Sequence, residues 1–277
     1  GYKPEDGDVC WESPWGKGRP GWHIECSVMS TYYLGDHFDI HCGGVDNIFP
    51  HHENEIAQSC AASGGTFVNY WLHNEHLLVD NKKMSKSAGN FYTLRDLFNK
   101  KCSAKAIRYT LISTHYRSKL NFTFDKVQTS QKCINKLYEF KRRLSLVEKN
   151  KDGGDESAAD KMLAGFSQKL EDDLNISGAL GELFIWVNDM FGKLDSEEIN
   201  YESSRQALSA LGKIDEVLGV MEADQTEIDG EIQNLIDERN QAREGKDWSA
   251  ADVIRKKLDE LGIILEDTPE GTIWKKK

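Results

Sequence analysis

The order of apolar and polar positions divides the chain near residue 94. Before that point the pattern reads helix, strand, Gly-rich turn, helix, strand. Trp22–Gly35 has the character of a short helix stopped by Gly35. His37-Phe-Asp-Ile-His41 alternates as a strand, Cys42–Asp46 reads as a tight turn, Pro50 takes a first helical position, and His51–Ala62 continues that helix. A further strand is expected around Trp71–Val79. This alternation is the pattern of a parallel α/β sheet with its site at the carboxyl ends of the strands.

Beyond residue 94 the spacing turns helical and stays so. Leu94, Leu97 and Phe98 open a helix, and Ile107, Leu111 and His115 continue at helical spacing. A long helix is expected from about Asp125 to Val147, with Val127, Ile134, Leu137, Tyr138 and Leu144 on its apolar stripe. Lys149–Asp160 is a polar linker. Two or three amphipathic helices follow, the last carrying Leu211, Ile214, Leu218 and Met221. The acidic, polar stretch Ala223–Gly230 marks a boundary. In the tail, helices are expected over about 231–244 and 249–261, the second behind Asp247 as N-cap and ended by Gly262. Residues 263–266 and 272–274 then pair as a hairpin around Thr268–Gly271.

Composition narrows the classes. Hydrophobic content of 39% and charged content of 29% suit a helix-rich protein. A net charge of -11 argues against a broadly basic nucleic-acid coat and leaves RNA binding to local basic surface. Six cysteines are scattered without a CxxC pair, which points to a reducing, cytoplasmic compartment. No apolar run approaches the ~20 residues that span a bilayer, and no signal peptide is visible. Trp11, Trp15 and Trp22 lie in a Gly- and Pro-rich opening stretch, expected to be a loop packed on a site.

Two groups of residues carry candidate chemistry. Lys83-Met84-Ser85-Lys86-Ser87, followed by Ala88-Gly89-Asn90, sets two lysines three residues apart on a loop between a strand and a helix. Their ammonium groups suit a triphosphate whose α-phosphate is attacked as pyrophosphate leaves. The pentapeptide resembles the signature of class I aminoacyl-tRNA synthetases. The second group is Cys26, His51 and Glu55. His51 and Glu55 are i and i+4 on the expected helix and share a face. A thiolate, an imidazole and a carboxylate are zinc ligands, and a tetrahedral site needs a fourth. The spacing is neither that of a zinc finger nor His-Glu-x-x-His. On spacing alone, an ordinary buried cysteine beside helix-surface residues is the favoured reading.

A wider resemblance reverses that balance. Gly18-Arg-Pro-Gly-Trp-His-Ile-Glu-Cys26, Phe38-Asp-Ile-His41, Gly43-Gly-Val-Asp46, Phe49–Gln58 and the lysine loop resemble cysteinyl-tRNA synthetase in order and spacing over residues 13–120. Weaker similarity runs from Asp172-Asp-Leu-Asn175 to Lys275. The resemblance implies the C-terminal half of a Rossmann-type catalytic domain (1–93), connecting helices that meet the tRNA stem (94–124), a helical bundle (125–222) and a small helical and hairpin anticodon-binding domain (223–277). It implies zinc on Cys26, His51 and Glu55. The family's further cysteine and its His-Ile-Gly-His-type signature belong to an N-terminal half not in this sequence. It also implies Trp22, His41 and Asp46 around the amino acid. Gly43, Gly44, Asp46, Lys83, Met84, Ser85, Lys86 and Ser87 would meet ATP with its Mg2+, with Lys83 and Lys86 catalytic. Arg243, Trp248, Asp252 and Asp267 would meet the anticodon. A buried Trp248 among solvated charges is a nearly equal reading, and Lys100, Lys101, Arg108, Arg117 and Lys119 are candidates for the tRNA backbone.

The activity implied is ATP-dependent activation of L-cysteine and its transfer to cysteine tRNA by a monomeric enzyme. The rivals are a non-catalytic tRNA-binding fragment and a ligase joining cysteine to an amino sugar. Cys42, Glu75 and Ala88 depart from the family's commoner residues.

Overall fold

The computed structural model describes residues 3, 5, 7, 9–149, 157–221, 230–268 and 271–276; at 230–233, 244, 266–268, 271, 273, 275 and 276 the description is of the backbone alone. The chain divides into two compact units: Gly1–Phe91 with Tyr116–Phe122, and Tyr92–His115 with Thr123–Lys277.

In the first unit, helix α1 spans Trp22–Leu34, and Gly35 ends it at φ 89 with its N–H on the Thr31 carbonyl. Strand β1 (Phe38–Gly44) pairs in parallel with β2 (Val68–Asn74), setting Ile40 against Tyr70 and His41 against Trp71. Between them, helix α2 spans Glu53–Ser63 and stops at Gly64 in the left-handed region, φ 74. Two expectations are corrected here. Cys42, Gly43 and Gly44 continue the strand, and the turn comes later, as a 3-10 segment Val45–Asn47 and a wide helical turn Ile48–His52. Phe49 is extended (φ -131, ψ 130) and Pro50, His51 and His52 keep helical dihedrals into α2, so Pro50 opens the helical run as expected, the regular α-helix following at Glu53. The strand expected over 71–79 is two strands. Glu75 donates its N–H to the Tyr116 carbonyl and the His76 carbonyl accepts from Leu120, which hands the chain to a second sheet.

That second sheet has the order β4-β3-β5, with β3 Leu77–Val79, β4 Lys82–Lys83 and β5 Leu120–Phe122. β3 runs antiparallel to β4 and parallel to β5. Asp80 and Asn81, both at positive φ (50 and 62), form the two-residue turn between β3 and β4. The opening stretch folds on itself through a Trp11–Gly18 bridge. It is not packed down as expected, since Trp15 is 92% exposed.

The second unit is helical: α3 Leu94–Asn99, α4 Ala104–Ile112, α5 Phe124–Ser145, α6 Ser157–Glu171, α7 Ile176–Asp195 and α8 Tyr201–Leu218, then α9 Gly230–Glu244, α10 Trp248–Glu260 and the hairpin β6 Ile263–Thr268 with β7 Gly271–Lys276. Thr93 caps α3 in a reciprocal box with Asp96: the Thr93 hydroxyl accepts from the Asp96 N–H at 3.2 Å, and the carboxylate accepts from the Thr93 N–H at 2.8 Å. This pairing holds the Asp96 carboxyl below its ordinary pKa. The expected helix through 94–115 breaks at Lys101, which adopts φ 64. α6 begins inside the expected linker. Residues 150–156, and all of the expected boundary except Gly230, lie outside the described residues.

The stripe on α5 buries Val127, Ile134, Leu137, Phe140 and Leu144. Tyr138 is only half-buried and gives its hydroxyl to the Val220 carbonyl at 3.2 Å. Arg108, a candidate for the tRNA backbone, instead donates to the carbonyls of Leu218 and Val217 where α8 ends at Gly219. The tail packs Leu235, Ile236, Leu258, Ile263 and Leu265 into a small core of its own. Leu137 is wholly buried. Leu137→Ala is therefore expected to lower the unfolding free energy by about 2–5 kcal/mol, read as a shift in the urea midpoint followed by helical circular dichroism.

Candidate functional site

Cys26 enters the site from α1, and His51 and Glu55 enter from the wide turn and the first turn of α2. One donor atom from each lies within 4.8 Å of the other two. Glu55 is fully buried and His51 is 5% exposed. His51 Nε2 lies 2.7 Å from Glu55 Oε1. Even so, neither carboxylate oxygen receives a hydrogen bond of normal geometry among the described residues. The other ring nitrogen of His51 faces His23 Nδ1 at 2.9 Å, and the Trp22 ring lies 4.1 Å from the His51 ring between centroids.

Glu55 is shared with a second cluster. His41, His52 and Glu55 also bring donor atoms within 4.8 Å of one another. His41 Nε2 is 3.5 Å from Glu55 Oε2, and His52 Nδ1 is 2.8 Å from His73 Nε2. His41 stacks on Trp71 at 4.6 Å. A Cβ at Gly43 would stand 2.5 Å from His52 Cε1, so a glycine in the strand is what admits this ring. His23, His52 and His73 were missed by spacing. The adjacent His51-His52 pair and the Gly43-Gly44 pair were the visible signals, and only the fold shows that one fits the other.

Burial dominates the electrostatics. It pushes the Glu55 carboxyl up to about 7 and raises the Cys26 thiol, on which the Glu55 charge acts in the same direction. Burial also lowers all three facing imidazoles: His41, further depressed by His51 and His73; His51, further depressed by His23; and His52, brought to about 4 with help from His41, His73 and His51. The site therefore gathers neutral donors around one carboxylate that has no cationic side chain beside it among the described residues. This donor set fits a zinc ion: soft sulfur, imidazole and carboxylate, with the orphaned carboxylate satisfied by the metal charge.

The lysine loop leaves β4 at Lys83 and reaches α3. The Asn90 side chain braces its base, accepting from the Ser85 N–H at 2.9 Å and donating to the Lys83 carbonyl at 3.2 Å. The Ser85 hydroxyl accepts from the Ala88 N–H at 3.2 Å, and Gly89 turns at φ 67. Lys83, Lys86 and Ser87 are exposed and Met84 and Ser85 half-buried, with the Lys86 ammonium 5.5 Å from the centre of the Phe91 ring. Asp46 is exposed in the 3-10 turn after Gly44.

In the tail, Trp248 opens α10 and is 60% exposed, so it is not a core residue. Asp252 is exposed and Arg243 half-buried. Asp267 lies on β6 opposite Thr272, and its side chain is outside the described residues.

The raised Glu55 carboxyl fixes a pH test. In metal-free protein the folded state holds this proton between about 4.5 and about 7, while the unfolded chain releases it near 4.5. Rising pH through that window thus removes stability in the parent chain but not in Glu55→Gln. The depressed His52, common to both proteins, acts in the opposite direction and cancels in the difference. With chelator present, the variant is expected to gain on the parent by on the order of 3 kcal/mol between pH 4.5 and 7, measured by urea unfolding.

A family model described as the catalytic domain of class I (C) tRNA synthetases matches residues 2–132. A second, described as the cysteinyl-tRNA ligase anticodon binding domain, matches residues 225–274. A cysteine–tRNA ligase of Brachyspira hyodysenteriae is 48% identical over 286 residues, covering 100% of this chain and 60% of the relative. That of Protochlamydia amoebophila is 45% identical over 275 residues, covering 98% of this chain and 58% of the relative. A LeuRS of Agrobacterium radiobacter K84, solved as a ternary complex with tRNA and LeuAMS, shares the fold at 11% identity and a TM-score of 0.57, over 80% of this chain and 34% of its own. The fold is that of a class I synthetase catalytic domain, Rossmann-like, with small sheets and many helices. No helix among the described residues is long and apolar enough to cross a membrane. The chain spans about three fifths of the length of the curated relatives it matches, 58% and 60%, and it belongs to the cysteinyl-tRNA synthetase family.

Proposed function

We propose that this chain carries the metal-binding, phosphate-binding and anticodon-reading parts of a cysteine–tRNA ligase. Such an enzyme activates L-cysteine with ATP and Mg2+ and passes it to the 3′ end of cysteine tRNA. The observation that carries the reading is the buried Glu55 carboxylate, without a hydrogen-bond donor among the described residues, beside His51 and Cys26. Cys26, His51 and Glu55 would hold zinc. When bound, zinc supplies a soft acceptor that separates a thiol from a hydroxyl far better than the roughly hundredfold a shaped apolar pocket gives.

The chain's own residues do the remaining work. Trp22, set against His51, and His41, set against Glu55, exclude water from the amino-acid side. Gly43, Gly44 and Asp46 meet the nucleotide or aminoacyl group. Lys83 and Lys86, together with Met84, Ser85 and Ser87 of the loop, hold the phosphates while charge builds at the α-phosphate, so catalysis is positioning and electrostatic stabilisation. At the other end, Trp248 offers an exposed face for an unpaired base, with Arg243, Asp252 and Asp267 reading base edges. The division into 1–93, 94–124, 125–222 and 223–277, a monomeric state and work in the cytoplasm belong to the same proposal. A tail resembling an anticodon module counts against an amino-sugar ligase, which has no anticodon to read.

Cobalt(II) substituted for zinc tests the reading directly. One equivalent is expected to bind per chain with a thiolate charge-transfer band that Cys26→Ala abolishes. L-cysteine is expected to perturb this spectrum at concentrations where L-serine leaves it unchanged. A chain that binds no metal, or a spectrum indifferent to cysteine, overturns the proposal.

A further inference from the structure

Strand β4 ends at Lys83, which pairs with Leu78 of β3, and among the described residues no strand accompanies the chain past that point. The next backbone groups that need partners are met by a side chain. Asn90 Nδ2 donates to the Lys83 carbonyl at 3.2 Å, and Asn90 Oδ1 accepts from the Ser85 N–H at 2.9 Å. In extended backbone, a carbonyl and the N–H two residues on face one side, where a neighbouring strand would bond both. The Asn90 amide stands in for that strand. A primary amide sets an acceptor and a donor side by side, whereas a carboxylate offers no donor and an aliphatic side chain offers neither.

Ser85 carries this restraint onward. Its N–H is held by Asn90, and its hydroxyl accepts from the Ala88 N–H at 3.2 Å. The Gly89 N–H closes the same turn on the Lys86 carbonyl at 3.2 Å. The strand end that bears Lys83 and the turn that bears Lys86 are therefore joined at Ser85, and both lysines point from that frame into solvent. We infer that Asn90 is a positioning residue of the phosphate site. Its amide fixes the backbone at Lys83 and, through Ser85, the turn that carries Lys86, so that both ammonium groups meet one magnesium-bound nucleoside triphosphate. Asn90 acts through the lysines and touches no phosphate itself. A loop rooted before its ligand arrives loses less conformational freedom on binding, and that saving is what the amide supplies. The inference rests on the phosphate reading of the loop given above.

Amide exchange and titration with MgATP test it on this chain. In Asn90→Ala the Ser85 amide is expected to exchange faster than in the parent, with helical circular dichroism and a cooperative thermal transition kept. Asn90→Asp, which keeps the acceptor and loses the donor, is expected to leave the Ser85 amide slow. By calorimetry, Asn90→Ala is expected to weaken MgATP binding at least about tenfold. Made in a Lys83→Ala background, the same change is expected to weaken it by no more than about threefold, because one lysine through which Asn90 acts is gone. A role confined to holding the fold would cost the same in both backgrounds. Three results overturn the inference: Ser85 exchange indifferent to Asn90→Ala, MgATP affinity indifferent to it, or an equal loss with and without Lys83. A parent chain that binds no MgATP removes the phosphate reading of the loop and the inference with it. A parent chain that binds MgATP regardless of Asn90 overturns the inference alone.

Discussion

One buried carboxylate governs the first unit. Glu55 has no solvent to stabilise its charge and no donor among the described residues to replace that solvent. The usual rescue, a neighbouring cation, is closed off by the surroundings. His41, His51 and His52 all face it, yet burial and their mutual repulsion hold each imidazole toward its neutral form. Two ways of neutralising Glu55 remain: a proton, or a cation brought from outside. Burial pushes the carboxyl up to about 7, so a cation bound there, as proposed, would compete with a proton for the same oxygens.

The sheet exists, in this light, to deliver imidazoles to that carboxylate. β1 places His41 on the face that α2 approaches, and β2 places Trp71 and His73 beside it in register. Gly43 removes a Cβ where the His52 ring must lie. The polar inner face of α1 follows from the same demand. Cys26 must reach Glu55, and the serines beside it bond to Gln58 or back to their own helix, so the helix spends its inward side on polar groups. Its apolar residues are left for the outer side.

How much of this was readable in the chain follows from how local each signal is. The helices beyond residue 94 announce themselves because a bundle packs one stripe per helix at a fixed period, and α5, α8 and α10 lie close to where that period puts them. The i, i+4 pair His51 and Glu55 was legible for the same reason. The strand through Cys42-Gly43-Gly44 was not, because consecutive glycines signal a turn unless one knows that a histidine ring nine residues on must pass over them. The break at Glu75-His76 was also invisible, since its cause lies at Tyr116 and Leu120, over forty residues away. Trp248 was balanced between core and surface on sequence alone. Its position directly after the Asp247 cap, before the stripe of α10 begins, leaves it outside the small core.

The lysine loop shows a second way of storing function in little structure. Its base is fixed by Asn90, which holds the Ser85 N–H and the Lys83 carbonyl together, at roughly 0.5–1.5 kcal/mol net per bond. Its tip turns on local bonds, from the Ala88 N–H to the Ser85 hydroxyl and from the Gly89 N–H to the Lys86 carbonyl, and the exposed Lys86 ammonium over the Phe91 face adds about 0.5–1 kcal/mol. A triphosphate, if bound there as proposed, would offer each lysine a charge-assisted bond. As proposed above, a loop rooted in this way would bring its two lysines, three residues apart, onto one developing charge while its base stays bonded.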